Sequence, residues 1–162
     1  MIRIRHHGTI PHPTAKVVVV DGADGVELNY AATVVMLNYV QTEADAREAG
    51  GVLVGQLTTS GTLIITRASS PGELDLRERN FLHRLDPCHQ NFVDYMFAND
   101  PCSNFVGDWH THPESVPRPS WTDVEGWVGS TQDQINGRIG IVWRFAYIIV
   151  GTTHLGVWEV IL

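Results

Sequence analysis

The stretch FVGDWHTHPESVPRPSWTD, residues 105–123, constrains this chain more than any other. SNFVGDWHTH reads as a strand. PESVPRP, with its three prolines, cannot continue a strand or a helix and limits floppiness in the connection. Ser120-Trp-Thr-Asp123 then has the spacing of a capping box, in which a serine and an acidic residue three positions on satisfy each other's backbone N–H groups at a helix start. A strand end and a helix start are therefore held close together, with two histidines on one side and a carboxylate on the other.

The rest of the chain supplies the layers around that junction. Residues 1 to 14 look irregular, with a short strand at Ile2 to Arg5. VVVV (17 to 20) is a strand by its β-branching and is ended by the turn-forming DGADG. From Leu28 to about Arg47 the apolar spacing predicts a helix closed by EAGG (48 to 51). VLVGQL and TLIIT flank TTSG as a β-hairpin, and SSPGELD is a loop. A helix enters around Asp86-Pro87 and ends at Asp100-Pro101. Another begins at SWTDVEGWVGS, IGIVWRFAYIIVG is strand-rich, and THLGVWEVIL is a last strand. Irregular alternation of helices and strands over 162 residues predicts one α+β (α/β layered) domain spanning residues 1–162, a mixed β-sheet flanked by helices.

Composition narrows the function. A net charge of -7 disfavours a general nucleic-acid grip, which needs clustered Lys and Arg. The longest apolar runs, such as VVVV and AYIIVG, are too short to cross a bilayer, and MIRIRHHG lacks the core of a secretory signal. The expectation is a cytoplasmic protein without membrane attachment, in which Cys88 and Cys102 are two reduced thiols.

Alternation along a strand points His110 and His112 the same way, about 6.6 Å apart along the backbone. Two imidazoles so placed can converge on one ion, and three protein ligands plus water is the usual open zinc site. Asp123, early in the following helix, is the best candidate for the third ligand. Such a site needs a general base to move protons. Glu48 is attractive, since it precedes Gly50-Gly51 and lies at the negative end of the predicted helix, where a carboxylate is electrostatically misplaced. Glu43 and Glu27 are weaker rivals, and Glu114 lies beside the histidines without the glycine context.

Together, Glu48 before GGVLVG, His110-Thr-His112-Pro113, six residues, Ser120, two residues and Asp123 resemble the JAMM motif of the catalytic MPN metallopeptidases. The likeness runs over the whole chain, and the wording GDWHTHPE…PRPSWTD is most similar to the bacterial branch that accompanies ubiquitin-like conjugation genes, often in antiphage defence operons. The resemblance implies a single catalytic Zn2+ held by His110, His112 and Asp123, Glu48 as the proton carrier, and Ser120 as hydrogen-bond donor to the oxyanion. It implies cleavage after the C-terminal tail of a ubiquitin-like protein, held as an added strand. The segment from Ser69 to Ser103 would shape the docking surface. A sulfur-carrier-processing peptidase and a noncatalytic MPN binding module are the alternatives.

Other residues have plainer readings. Cys88, His89 and Cys102 pack structurally rather than forming a second metal site, and His6, His7 and His12 are exposed loop residues. Of Trp109, Trp121 and Trp127, at least one is purely core. Asp108 shares the strand parity of the two histidines, so it is a weak candidate partner for one of their rings.

Overall fold

The computed structural model describes residues 1–22, 25–137 and 144–162. Its centre is a mixed sheet of eight strands: β1 (Arg3–Pro11), β2 (Val17–Val20), β3 (Val26–Asn29), β4 (Gly50–Leu57), β5 (Leu63–Ala68), β8 (Asn104–Thr111), β9 (Ala146–Val150) and β10 (His154–Ile161). Between β5 and β8 lie a separate hairpin, β6 (Leu76–Glu78) and β7 (Phe81–His83), and helix α2 (Cys88–Asn99). Helix α1 (Tyr30–Leu37) follows β3, and α3 (Trp121–Asn136) follows β8. The sheet order is β1-β10-β9-β8-β4-β5-β3-β2, with parallel pairs β3/β5 and β8/β9. This is the expected α+β layering, a mixed sheet with helices packed on it.

The central strands explain why the apolar runs are continuous rather than alternating. Every residue of Ala146–Val150 is buried, as are Val52, Leu53 and Val54, because these strands are covered on both faces. Helix α1 packs on β3, β5 and β8, α2 on β4 and β8, and α3 on β10. No helix among the described residues is long and apolar enough to cross a membrane.

Two expectations from the sequence need correction. The helix predicted from Leu28 to Arg47 is only Tyr30–Leu37. Val26 and Leu28 are buried while Glu27 and Asn29, which alternate with them, are half-buried, a period-2 pattern fixed by pairing with β2 and β5. Distant strand pairing thus overrides the local helical spacing, and the chain from 38 to 49 is loop. The N-terminus is not irregular either. Arg3–Pro11 pairs with β10 along its length, with a register shift between His6 and Gly8. Residues 139–143 of the predicted strand-rich segment and residues 23–24 of the predicted DGADG turn lie outside the described residues.

On the same strand His6 is exposed as expected, but neither it nor His7 is a loop residue. His6 stacks on Trp158 with ring centroids 4.8 Å apart. His7 is buried, its Nδ1 3.1 Å from Asp21 Oδ2 and its Nε2 2.7 Å from Glu159 Oε2. Arg144 donates to both oxygens of Glu159 at 2.9 Å. Burial works to raise the Glu159 pKa, but hydrogen bonds from Arg144 and His7 outweigh it and hold the carboxyl down at about 2. A carboxyl depressed on folding stabilises above its unfolded pKa and loses that contribution as pH falls through the folded value. Glu159 is therefore expected to contribute on the order of 3 kcal/mol at neutral pH, lost between roughly pH 4.5 and 2. Urea midpoints measured over that range should fall less steeply in Glu159→Gln than in wild type.

Candidate metal centre

The strand-loop-helix junction places its side chains as its spacing requires. His110 lies on β8 and His112 just beyond its end, with Thr111 turned to the opposite face. Their Nε2 atoms are 3.0 Å apart. At the start of α3 both arms of the capping box are made: Asp123 N–H donates to Ser120 Oγ at 3.1 Å, and Ser120 N–H donates to Asp123 Oδ2 at 2.6 Å. The cap therefore aims the Asp123 carboxylate at the histidines, with Oδ1 3.2 Å from His110 Nε2 and Oδ2 3.3 Å from His112 Nε2. Burial alone would raise the Asp123 pKa, but the hydrogen bonds to His110 and His112 hold it well below the usual carboxylate range.

These separations suit one tetrahedral ion. Metal–ligand bonds of about 2.0–2.1 Å at tetrahedral angles put ligand atoms roughly 3.3 Å apart. His110, His112 and Asp123 form a group whose ligand atoms all lie within 4.8 Å of one another. Two nitrogens and one carboxylate oxygen, with a side open, is also the donor set that zinc takes in hydrolytic sites.

Glu48 reaches the same place from the loop before β4. Its Oε1 is 3.9 Å from His112 Nε2, and the residue is 7% exposed. Burial raises its pKa; the nearby His110 and His112 partly oppose this, and Asp123 adds to it. The predicted helix does not reach Glu48, so a helix dipole has no part in its electrostatics. Nor do the glycines after it cap a helix. A side chain at Gly50 would collide with Leu82 and the Trp109 carbonyl, and one at Gly51 with Ser69. The pair lets the start of β4 lie close against β8 and the β6–β7 hairpin.

Glu114 has a place that sequence reasoning missed. Its Oε1 is 3.1 Å from His112 Nδ1 and accepts the Arg118 backbone N–H at 2.7 Å. An Nδ1–H given to this carboxylate leaves the Nε2 lone pair for a metal. Burial lowers the His112 pKa, yet hydrogen bonds to Asp123 and Glu114 carry it above its ordinary value. Glu114→Ala is expected to weaken zinc affinity roughly 10- to 100-fold with the fold intact, as read by competition against a chromogenic chelator.

A cleft of about 810 Å³ surrounds these groups, walled by the hairpin residues Phe81 and His83 on one side and by Thr122 and Gly126 of α3 on another. Ser120 lines it as well; its Oγ accepts from Asp123 N–H, leaving its own hydrogen to donate. Glu43 is exposed and Glu27 lies on β3, both outside the cleft lining. Asp108 shares the histidines' face but pairs with Arg84, at 3.0 Å. Trp109 is buried and donates its indole N–H to the Ser69 carbonyl at 3.0 Å, while Trp121 is 76% exposed. Trp127 backs the cleft and stacks on Tyr147.

The cysteine-histidine group is elsewhere. His89 is buried between Asp75 Oδ2 at 2.8 Å and Ser69 Oγ at 2.9 Å, tying α2 to the loop after β5. Both cysteines are free, and burial followed by the nearby Asp86 pushes the Cys88 thiol up to about 11.

Comparison with known proteins identifies the family of the chain. The family described as prokaryotic homologs of the JAB domain matches residues 36–160. A protein of Escherichia coli (strain TW11681) named CD-NTase/cGAS isopeptidase is 37% identical over 118 residues, covering 70% of this chain and 73% of the relative. A protein of the same name from Vibrio cholerae serotype O1 is 36% identical over 93 residues, 57% of this chain and 59% of the relative. A third, from Pseudomonas aeruginosa, is 34% identical over 91 residues, 55% of this chain and 56% of the relative.

Proposed function

We propose that this chain, which belongs to the prokaryotic JAB-domain family, is a zinc-dependent isopeptidase acting at the C-terminal tail of a conjugated protein. Residues 1–162 act as one catalytic unit in the cytoplasm, within a bacterial conjugation system for antiphage defence. The observation that carries the reading is the meeting of His110, His112 and Asp123 within 4.8 Å, beside the buried carboxylate of Glu48. The names of the relatives favour a CD-NTase as the modifier whose tail is cut. A ubiquitin-like protein is the modifier that the JAMM motif suggests.

His110, His112 and Asp123 would hold the zinc, which would supply Lewis acidity at the scissile carbonyl. Glu48 takes a proton from the attacking water and delivers it to the departing amine; burial, which raises its pKa, brings it closer to neutrality for both transfers. Ser120, in the cleft wall, donates its hydroxyl hydrogen to the carbonyl oxygen as that atom gains charge. Glu114 holds the His112 ring in one orientation throughout.

The test is cleavage of a CD-NTase carrying a reporter protein on its C-terminus, beside a matching ubiquitin-like fusion, each with and without chelator. Release of the reporter from the CD-NTase fusion, abolished by chelator and restored by zinc, is the expected result. Release from the ubiquitin-like fusion alone would move the assignment to that modifier. If neither is cut and the purified protein holds far less than one zinc, the chain is a noncatalytic binding module.

A further inference from the structure

Glu48 is aimed in an unusual way. Among the described residues no hydrogen bond reaches its carboxylate, so its direction is set through the main chain. All four backbone polar groups of Glu48 and Ala49 are paired, and by two different parts of the fold. The β6–β7 hairpin supplies one pair: Glu48 N–H donates to the Glu78 carbonyl at 2.7 Å, and Arg77 Nε donates to the Glu48 carbonyl at 2.6 Å. Thr111 supplies the other. Its backbone N–H donates to the Ala49 carbonyl at 2.8 Å, and its Oγ1 accepts the Ala49 N–H at 3.0 Å.

Thr111 stands between His110 and His112 in sequence and faces away from them, fully buried. Its hydroxyl hydrogen goes to Gln41 Oε1 at 2.8 Å. Gln41, itself 1% exposed, donates from Nε2 to the Arg79 carbonyl at 2.9 Å and to the Ala46 carbonyl at 3.2 Å. Gln41 thus joins the strand that carries the histidines to the hairpin turn that holds Glu48 from the other side. A buried amide with all these bonds made, reaching three separate segments, has one orientation open to it.

We propose that Thr111 and Gln41 are positioning residues for the reaction, a buried clasp that fixes the Glu48 carboxylate against the histidine pair and makes its aim depend on the seating of the β6–β7 hairpin. The proposal rests on the isopeptidase reading above. It accounts for a fully buried glutamine in a loop, and for a threonine rather than an apolar residue at a position facing the core. Because the hairpin also walls the cleft, a substrate that presses on Phe81 or His83 acts on the same clasp that sets the base.

Thr111→Val is nearly isosteric and puts a methyl in place of the hydroxyl; Thr111→Ser keeps the hydroxyl; Gln41→Met keeps length and removes the amide. Misplacing a catalytic group by an ångström costs on the order of 100-fold. Thr111→Val and Gln41→Met are therefore expected to lower kcat on the cleavable fusion by roughly 10- to 100-fold, with KM within about twofold and zinc content unchanged. Thr111→Ser should restore most of kcat. On the metal-free protein, amide hydrogen exchange should speed up in Thr111→Val at residues 46–49 and 76–79 and stay unchanged in the β9–β10 pair. Should Gln41→Met fail to fold, the Thr111 pair carries the test alone. Full kcat in Thr111→Val, or exchange that rises equally throughout the sheet, would overturn the proposal. If the wild-type protein cleaves no fusion, the isopeptidase reading fails separately. The exchange measurement still decides the clasp, because unchanged protection at residues 46–49 would refute it.

Discussion

Glu48→Gln is expected to lower kcat by roughly 10³-fold while leaving the melting temperature and the zinc content of the protein unchanged. Glutamine keeps the size of the side chain and its place beside His112, but it cannot accept a proton from water or return one to the leaving amine. The buried setting of Glu48 is what makes the loss large. Burial raises its pKa, so the carboxylate is a stronger base than an exposed one, and among the described residues no other carboxylate in the cleft stands ready to replace it. Glu114 is already engaged with His112 and the Arg118 amide, and Asp108 with Arg84. Wild-type kcat in this variant would remove Glu48 from the reaction and leave the histidine cluster without its proton carrier.

Asp123→Asn carries the second large effect, and it separates two duties of one side chain. The carboxylate both completes the cap on α3 and faces the two imidazoles. An asparagine retains an oxygen that can accept the Ser120 N–H, so the helix start survives and the melting temperature stays close to that of wild type. Asp123→Ala, which loses that arm, should cost about 1 kcal/mol of stability. A neutral amide is a far poorer zinc ligand than a carboxylate, and both variants should hold well under one zinc after dialysis and show no measurable cleavage. If Asp123→Asn kept a full equivalent of zinc, the third ligand would have to be another residue.

The parts of the site that were legible in the sequence are those encoded locally. The HxHP strand, the proline loop and the Ser-x-x-Asp cap lie within fourteen residues, from His110 to Asp123, and each follows from a spacing rule. The capping box is also why Asp123 points at the histidines, so one short pattern sets both the helix start and the direction of the carboxylate. Glu48 was legible from its glycine context, whereas the helix end that also singled it out does not exist in the structure. What fixes it in place is distant in the chain: Glu78 accepts its backbone N–H, and Thr111 binds both backbone groups of its neighbour Ala49.

The same limit explains the errors. Leu28 fits a helical spacing, yet its strand pairs with Val17–Val20 and with Leu63–Ala68, and the second of these pairings lies outside any window of fifteen residues. His7 reads as a loop residue until Glu159, at the far end of the chain, is brought against it. Gln41 looks like an ordinary polar residue of the predicted helix; only the packed structure puts it in a loop and buries it under Thr111 and the hairpin turn. The role of Glu114 depends on how the proline loop folds back, which brings its carboxylate to His112 Nδ1 and to the Arg118 amide at once.

The most direct test of the central claim is anomalous diffraction at the zinc edge on crystals of the zinc-loaded protein. The account predicts a single peak about 2.0–2.2 Å from His110 Nε2, His112 Nε2 and one carboxylate oxygen of Asp123, with Glu48 facing its open side. A peak bound elsewhere, or a protein that takes up no zinc at this cluster while remaining folded, would contradict it.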